Sequence, residues 1–443
     1  MKKFVFIAVI CNLLTVQAFA QVAADKARTG TVYSKIGVGM PVDLTSSSAD
    51  GMGALGVSFN ETNVAGLGNP ATWGNMACFS GEGMGCFALA SGGFSMERLN
   101  GTDNQGRAET SVFSANHFQL QLPVKKNKVG ISASVTPLTR SNYNFIGNQT
   151  WTSGGQLDTA TVQNQGTGGI NSIELGFGWE ISRNISVGYA GSLVLASLEN
   201  NITTVFPGSD YQSVEYTVQT SGTGFGNRFG TLITLPNLLQ ERDYLRIGAS
   251  VNLPVVLNAE RIQKSDKQIS SGAVETITVR EGEGLGDGKL RLPLELSGGL
   301  TYQASPKLSF TTEALYEEWS DFGFDFNEEI RQDAQLIDRY KAAFGIRYFP
   351  FASGSNNFLS QFKYRAGVSY DAGHLKIDGK RIETILLSAG LGIPSPNSNS
   401  SIDVSFHYGM RGTEAQNLVK ESIWGVKLSI NLAELMFSQP KLQ

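Results

Sequence analysis

Charge is scarce in this chain: Asp, Glu, Lys and Arg together make up 17% of its 443 residues, against roughly a quarter in ordinary soluble domains. Lys and Arg number 35 and Asp and Glu 39, a formal net charge of −4, so there is neither a basic footprint for nucleic acid nor a long charged tail. Cysteine and histidine are rarer still, at three each. His117, His374 and His407 are too scattered to suggest a metal site, and no cofactor is expected. Beyond residue 20 there is no apolar run of about 18 residues, so no helix crosses a membrane in the processed chain. No Pro- or Ser-rich linker with a shift in composition divides it, which favours one continuous unit.

What the chain has in plenty is glycine, at 51 residues, with hydrophobic residues at 41% and aromatics at 10%. It opens with Lys2 and Lys3, an apolar run from Phe4 to Val16 and the small-residue site Ala18-Phe19-Ala20. This is the grammar of a signal peptide cut before Gln21, and with no Cys at that position no lipid anchor is implied. Cys78 and Cys86 are then the cysteines left in an oxidising compartment, where a bridge between them is possible.

Periodicity narrows the fold. In Val129-Gly-Ile-Ser-Ala-Ser-Val135 apolar residues fall on every second position, and the pattern returns in Ile173, Leu175, Phe177, Trp179 and Ile181, then in Ile185, Val187 and Tyr189. Segments of roughly 10 to 13 residues suit tilted strands across a bilayer better than the 5 to 6 usual in soluble sheets. The opposite faces carry Glu174, Glu295, Glu313, Glu317, Arg347, Lys363, Arg365 and Asp371, as the lumenal face of a barrel would. About 14 strands can be traced, with short turns such as 125–127, 182–184 and 305–307 alternating with long connections at 140–169, 199–222 and 260–288. The expectation is an all-β, transmembrane antiparallel β-barrel with short turns in the periplasm, long loops outside, and an N-terminal hatch in the lumen. The corresponding division is 1–20 signal peptide, 21–83 hatch, 84–437 barrel and 438–443 periplasmic tail.

The run Ser46 to Val57, continued by Gly68-Asn69-Pro70-Ala71, resembles the hatch of the FadL/TodX family of outer-membrane transporters for long-chain fatty acids and aromatic hydrocarbons, whose hallmark is Asn-Pro-Ala. Thr136-Pro-Leu-Thr-Arg140, Tyr364 to Tyr370, Tyr408 to Thr413 and Asn417 to Glu421 resemble its later strands. The resemblance implies passive uptake of hydrophobic compounds, above all long-chain fatty acids, across the lipopolysaccharide-bearing outer membrane of a Gram-negative bacterium. It also implies a groove among the outer loops, a lumenal pocket, and lateral exit through the wall. Groove candidates are Tyr143, Phe145 and Trp151 in one loop and Val205, Phe206 and Tyr211 in the next.

A fatty-acid carboxylate needs a cation or amide partner, and Arg228, Arg347, Lys363 and Arg365 are candidates; alternatively they pair with lumenal carboxylates. Asn69-Pro70-Ala71 should pin a rigid turn against the inner wall. Pro137 marks the expected exit, since it removes an N–H from the wall, unless it merely ends its strand; Pro254 and Pro293 are lesser rivals. The partners expected are hydrophobic small molecules and outer-membrane lipid, and the barrel is expected to be a monomer and not an enzyme. Two alternatives remain: a general diffusion porin, and a lipid hydrolase, for which the only hint is Asp403 with His407 on one strand face. Gly51-x-Gly53-x-x-Gly56 lacks the preceding strand that a dinucleotide site requires.

Overall fold

The computed structural model describes residues 30–76, 86–104, 106–125, 128–153, 156–206, 213–268, 274–282, 284–326, 334–351, 358–395 and 398–436. The strands of the wall are β1 (Cys86–Thr102), β2 (Arg107–Lys125), β3 (Val129–Arg140), β4 (Gln156–Ser182), β5 (Ile185–Val205) and β6 (Val214–Pro236). Next come β7, in two pieces (Tyr244–Asn252 and Val255–Gln268), and β8, also in two (Gly286–Leu292 and Glu295–Ser305). The series ends with β9 (Leu308–Glu317), β10 (Arg339–Tyr348), β11 (Lys363–Asp371), β12 (Thr384–Pro394), β13 (Ser401–Arg411) and β14 (Lys420–Met436). Each is antiparallel to the next, and β14 returns to β1 with Met436 opposite Cys86 and Lys420 opposite Thr102. The result is a closed barrel of 14 strands, which leaves no edge along the seam.

Alternation assigns the two faces. On β4, Leu175 is 66% exposed while its neighbour Glu174 is 8% exposed, and Ile173, Phe177, Trp179 and Ile181 share the outer face with Leu175. Phe225, Phe229 and Ile233 continue this face on β6. Such a belt would be costly in water and is matched by lipid. The inward face is small, polar and ionic: Ser91, Gln119, Ser134, Arg228, Thr301, Glu313, Arg365, Asp403 and Ser429 are all buried.

The wall is taller than the sequence pattern suggests. The stretches 140–169, 199–222 and 260–288, expected as loops, are largely strand: β4, β5 and β6 run for 27, 21 and 23 residues, and Tyr143–Ser153 folds as a hairpin on Gln156–Gly166. Segments such as Thr203-Thr204-Val205 and Val214 to Val218 are rich in β-branched residues, which favour the pleat with or without lipid beside them. At roughly 3.3 Å per residue and a 45° tilt, 27 residues rise about 60 Å, well past a belt about 25 Å tall.

Residues 30–76 pack against inward faces from many parts of this wall. The two-residue strand Met40–Pro41 pairs with Arg140 and Thr139 of β3. Ser46 caps the single turn Ser47–Asp50 through the Ala49 N–H, and Asn69 caps the 3-10 turn Pro70–Gly74 through the Ala71 N–H. Where this inner segment meets the wall the facing residue is repeatedly glycine. A Cβ on Gly188 would overlap the Pro70 carbonyl carbon, and one on Gly367 would overlap the Met52 carbonyl oxygen. Gly367→Leu is therefore expected to displace the inner segment and cost at least about 1–3 kcal/mol, seen as a lower thermal midpoint in detergent; an unchanged midpoint would refute the close fit.

Candidate functional site

Asn69, fully buried, does three things at once. Its Oδ1 accepts the Ala71 N–H at 2.9 Å, and its Nδ2 donates to the Val57 and Thr231 carbonyls at 2.9 Å each. Pro70 and Ala71 therefore lie against β5 and β6 as a fixed turn, with Pro70 beside Gly230 as well as Gly188.

Charge fastens the rest of the inner segment. The Glu313 carboxylate of β9 accepts the N–H groups of Leu55, Gly56, Ser58 and Phe59 at 2.6–3.3 Å. Glu61 of the inner segment meets Arg347 at 2.8 Å, Lys363 at 3.0 Å and Arg365 at 2.9 Å. Burial alone would raise the Glu61 carboxyl, but Lys363, Arg365 and Arg347 override it and hold it well below the usual carboxylate range. Asp43 sits between Arg339 at 2.8 Å and Lys341 at 2.5 Å, and Asp50 meets Lys427 at 2.6 Å.

These ties absorb the four cations considered for a ligand carboxylate. Arg228 forks onto Glu174 and also donates to the Leu67 carbonyl at 2.5 Å; Arg347 and Lys363 hold Glu61, and Arg365 is shared between Glu61 and Asp403. Asp403 thus faces Arg365 whereas His407 lies 3.7 Å from Asp50, so the two do not form a dyad.

Of the groove candidates, Tyr143, Phe145 and Trp151 lie on one hairpin strand, and Val205 lies two strands over, opposite Thr161, which itself faces Asn148. Tyr143 is 3% exposed, stacks on Phe145 and donates to Asn200 Oδ1 at 2.8 Å; Phe145 also carries Lys35 over its ring. Val205 is exposed at the end of β5 and Phe206 is half-buried. Trp151 belongs to the outer hairpin, and Tyr211 lies outside the described residues. So do the signal peptide, Cys78 and residues 437–443; Cys86 is buried and disulfide-bonded.

Among the described residues, the wall parts between β2 and β3. β2 pairs with β3 from Lys125–Val129 only as far as Phe118–Val135, although β2 continues to Arg107 beside β1. Pro137 stands just past the last pair, and the β3–β4 register slips between Pro137 and Thr139. Asn116 is skipped in the β1–β2 register. With no N–H at Pro137 and a bulge at Asn116, neither strand presents a regular ladder at this level. The free edge of β3 is taken by Met40–Pro41. Across the parting, the Arg140 guanidinium donates to the Ala115 carbonyl at 2.8 Å and Asn116 Oδ1 at 3.0 Å. Pro254 and Pro293 mark a different distortion. The β7–β8 pairing passes from Asn252–Glu295 to Val255–Leu292, and the upper halves pack inward on Ile170, Val194 and Trp319.

Above the inner segment lies a lumenal cavity of about 200 Å³. Its walls include Val112, Ser114 and Asn116 of β2, Arg140 of β3 and Met40–Pro41, all flanking the parting, and on other sides Asp43, Asp50, Arg339, Lys341 and Lys427. Asn116, Arg140 and the short inner strand were not legible as site residues, because a bulge and a two-residue pairing leave no periodic trace.

A closed barrel with a lipid-facing belt, filled by an N-terminal segment, defines a protein of the FadL/TodX structural type. The chain belongs to the BamG family, whose family model matches residues 1–443. Among solved structures it is similar to a Pseudomonas aeruginosa FadL homologue (15% identity, 90% of this chain and 99% of that one, TM-score 0.55). It is likewise similar to the CymD monoaromatic hydrocarbon channel (16%, 90% and 99%, TM-score 0.51) and the Pseudomonas putida toluene transporter TodX (14%, 83% and 92%, TM-score 0.50). At these identities the likeness is one of fold. No curated protein matches the sequence.

Because its folded pKa is depressed, Glu61 contributes attachment that is fully present above the ordinary value of 4.5 and is lost only as pH falls through the lower folded value. In limited proteolysis the inner segment should stay shielded down past pH 4.5. Glu61→Gln, which leaves Arg347 and Lys363 without a carboxylate and Arg365 with Asp403 alone, at a cost of about 3–5 kcal/mol, should expose it at neutral pH.

Proposed function

We propose that this chain is a passive transporter of hydrophobic compounds in the outer membrane of a Gram-negative bacterium, a monomer with its short turns in the periplasm and residues 21–83 as its hatch. Its ligands reach the lumen from the outer face and leave through the parting between β2 and β3. The observation carrying this reading is that residues on both sides of the parting, Ser114 and Asn116 on one and Arg140 on the other, also line the lumenal cavity. The level is suitable. Phe118 stands roughly 16 Å above the short-turn end and exposed Phe113 roughly 28 Å, so the parting spans the upper part of a belt about 25 Å tall. A ligand leaving there enters the outer leaflet without crossing water. Single-chain lipids, long-chain fatty acids among them, have a tail narrow enough for such a slot.

A second reading is favoured by the density of buried ion pairs holding the inner segment. A barrel kept shut this firmly would act through its wall, as a membrane scaffold.

One experiment separates them. In proteoliposomes, Asn116→Cys combined with Arg140→Cys, bridged by a short reducible bis-thiol reagent, should take up oleate at least about tenfold more slowly than before bridging and recover on reduction. Equal uptake in bridged and reduced protein removes the lateral exit; uptake equal to that of empty vesicles in both states supports the scaffold.

A further inference from the structure

Outside the barrel, a second cavity opens on the outer face of the wall, away from the lumen. At Pro254 and Pro293 the upper halves of β7 and β8 bend inward, whereas β5 and β6 run on unbroken for 21 and 23 residues. The outer surface of these four strands therefore sinks into an open cleft of about 710 Å³, within the 300–1,000 Å³ usual for ligand sites.

Two outward-facing rows line the cleft. In the lower row Leu195 of β5 stands opposite Thr223 of β6, Thr223 opposite Asn258 of β7, and Asn258 opposite Lys289 of β8. In the upper row Ser221 stands opposite Glu260, and Glu260 opposite Asp287. Between the rows Ala196 and Ala259 point inward and are buried, so the floor is mostly backbone. With strands roughly 4.8 Å apart, hydroxyl, amide and ammonium groups recur at a spacing comparable to the hydroxyls on opposite sides of a pyranose ring.

Height says what the cleft meets. Phe225, 80% exposed, stands roughly 26 Å above the short-turn end of β6, at the top of a belt about 25 Å tall, and Thr223 roughly 30 Å above it. Phe225 and the exposed Val256 thus border acyl chains from below, and the cleft begins at the level of lipid headgroups. Above the cleft, the same outer face continues across β4 to β6 in amides, hydroxyls and carboxylates. Gln163 donates to Asn144 at 3.1 Å, Thr161 to Asn148 at 3.3 Å and Gln219 to Glu199 at 2.9 Å.

The groups left open select the ligand. Glu260 is held by Arg280 at 2.9 Å, and the Asp325 carboxylate accepts the Lys289 N–H at 3.0 Å. The side chains of Asn258, Asp287 and Lys289 have no partner among the described residues, and Asp287 faces a like charge across the strands, a pairing that costs stability unless a donor answers it. Hydrocarbon would strip water from these groups without replacing its hydrogen bonds. A head made chiefly of phosphate would find a single free cation, Lys289. A sugar supplies hydroxyls that both donate and accept, and suits the mixture.

We propose that this cleft binds the sugar headgroup of an outer-leaflet glycolipid, with its hydroxyls on Thr223, Asn258 and Asp287, an acidic substituent on Lys289, and its acyl chains running down the belt over Phe225 and Val256. The inference rests on the outer-membrane placement put forward above and is independent of transport.

The test titrates the full chain in detergent micelles with rough lipopolysaccharide, phosphatidylglycerol and delipidated core oligosaccharide, and reads bound ligand by native mass spectrometry. Lipopolysaccharide is expected to bind at least about tenfold more tightly than either of the others. Asn258→Ala combined with Asp287→Ala, checked for folding by heat-dependent gel mobility, should weaken it at least about fivefold and leave phosphatidylglycerol binding unchanged. Asp287→Asn, which keeps an acceptor, should retain it. Lipopolysaccharide binding that is equal in the unaltered chain and the double variant overturns the site. Phosphatidylglycerol bound as tightly overturns sugar recognition, and core oligosaccharide bound as tightly overturns the glycolipid in favour of a free glycan. Binding of neither lipid overturns the membrane placement and the site with it. Oleate uptake by proteoliposomes should be the same for the double variant and the unaltered chain, so failure of the cleft leaves transport standing and failure of transport leaves the cleft standing.

Discussion

A carboxylate surrounded by three cations in the middle of a barrel is the contact on which the interior depends. Glu61 lies on the inner segment, while Arg347, Lys363 and Arg365 lie on β10 and β11. Glu61, Arg347 and Lys363 could not remain buried and charged apart, since an isolated ion in low dielectric costs several kcal/mol, while Arg365 links them to a second carboxylate, Asp403. The segment is thus held most firmly where its polypeptide is least regular, and the one-turn helix and the 3-10 turn on either side need little stability of their own. The same constraint limits motion. A large excursion of residues 30–76 would leave cations unpaired on β10 and β11 and Glu313 without its backbone donors, whereas a local change at Met40–Pro41, held to β3 by a two-residue pairing, breaks no ion pair of Glu61.

The inner face of the wall reflects this filling. A barrel of this size could hold water; here buried small residues, glycine at the closest approaches, bring the wall backbone onto the segment, and charges cover the remainder. Hydrophobic packing inside gathers where β7 and β8 bend inward at Pro254 and Pro293, with Val255, Leu257, Leu290 and Leu292 around Trp319, and in smaller clusters around Tyr33 and Leu375 and around Met52 and Phe59. Apolar groups therefore lie mainly outside, ionic ones inside, with the parting beside β3 as the place where the two environments approach each other.

Much of this was legible from alternation alone. Leu175 and Glu174 face opposite ways because successive side chains must, and fourteen repetitions of that rule, with short turns at 182–184 and 305–307, specify a barrel. Strand ends were not legible, because Thr- and Val-rich segments above the belt pair as readily as those within it. The partners of Arg228, Arg347, Lys363 and Arg365 were invisible for another reason. Glu61 stands about three hundred positions from Lys363, and no local spacing carries that pairing. Pro137 was readable as a missing donor; the answering bulge at Asn116 and the reach of Arg140 depend on register, which the pattern leaves open.

The ties between the two ends of the chain bear on how the molecule is made. Thr31 donates to Glu421 at 2.6 Å across 390 positions, Tyr33 donates to the Val419 carbonyl, and Ser47 is bonded to Ser429 at 2.8 Å. The first described part of the chain is therefore completed by the last strand to arrive. Nucleation from the N-terminus alone is unproductive, and closing so long a loop is slow. Until β14 reaches β1, the segment that fills the lumen lacks these partners, so sealing the seam and seating the filling belong to one late event.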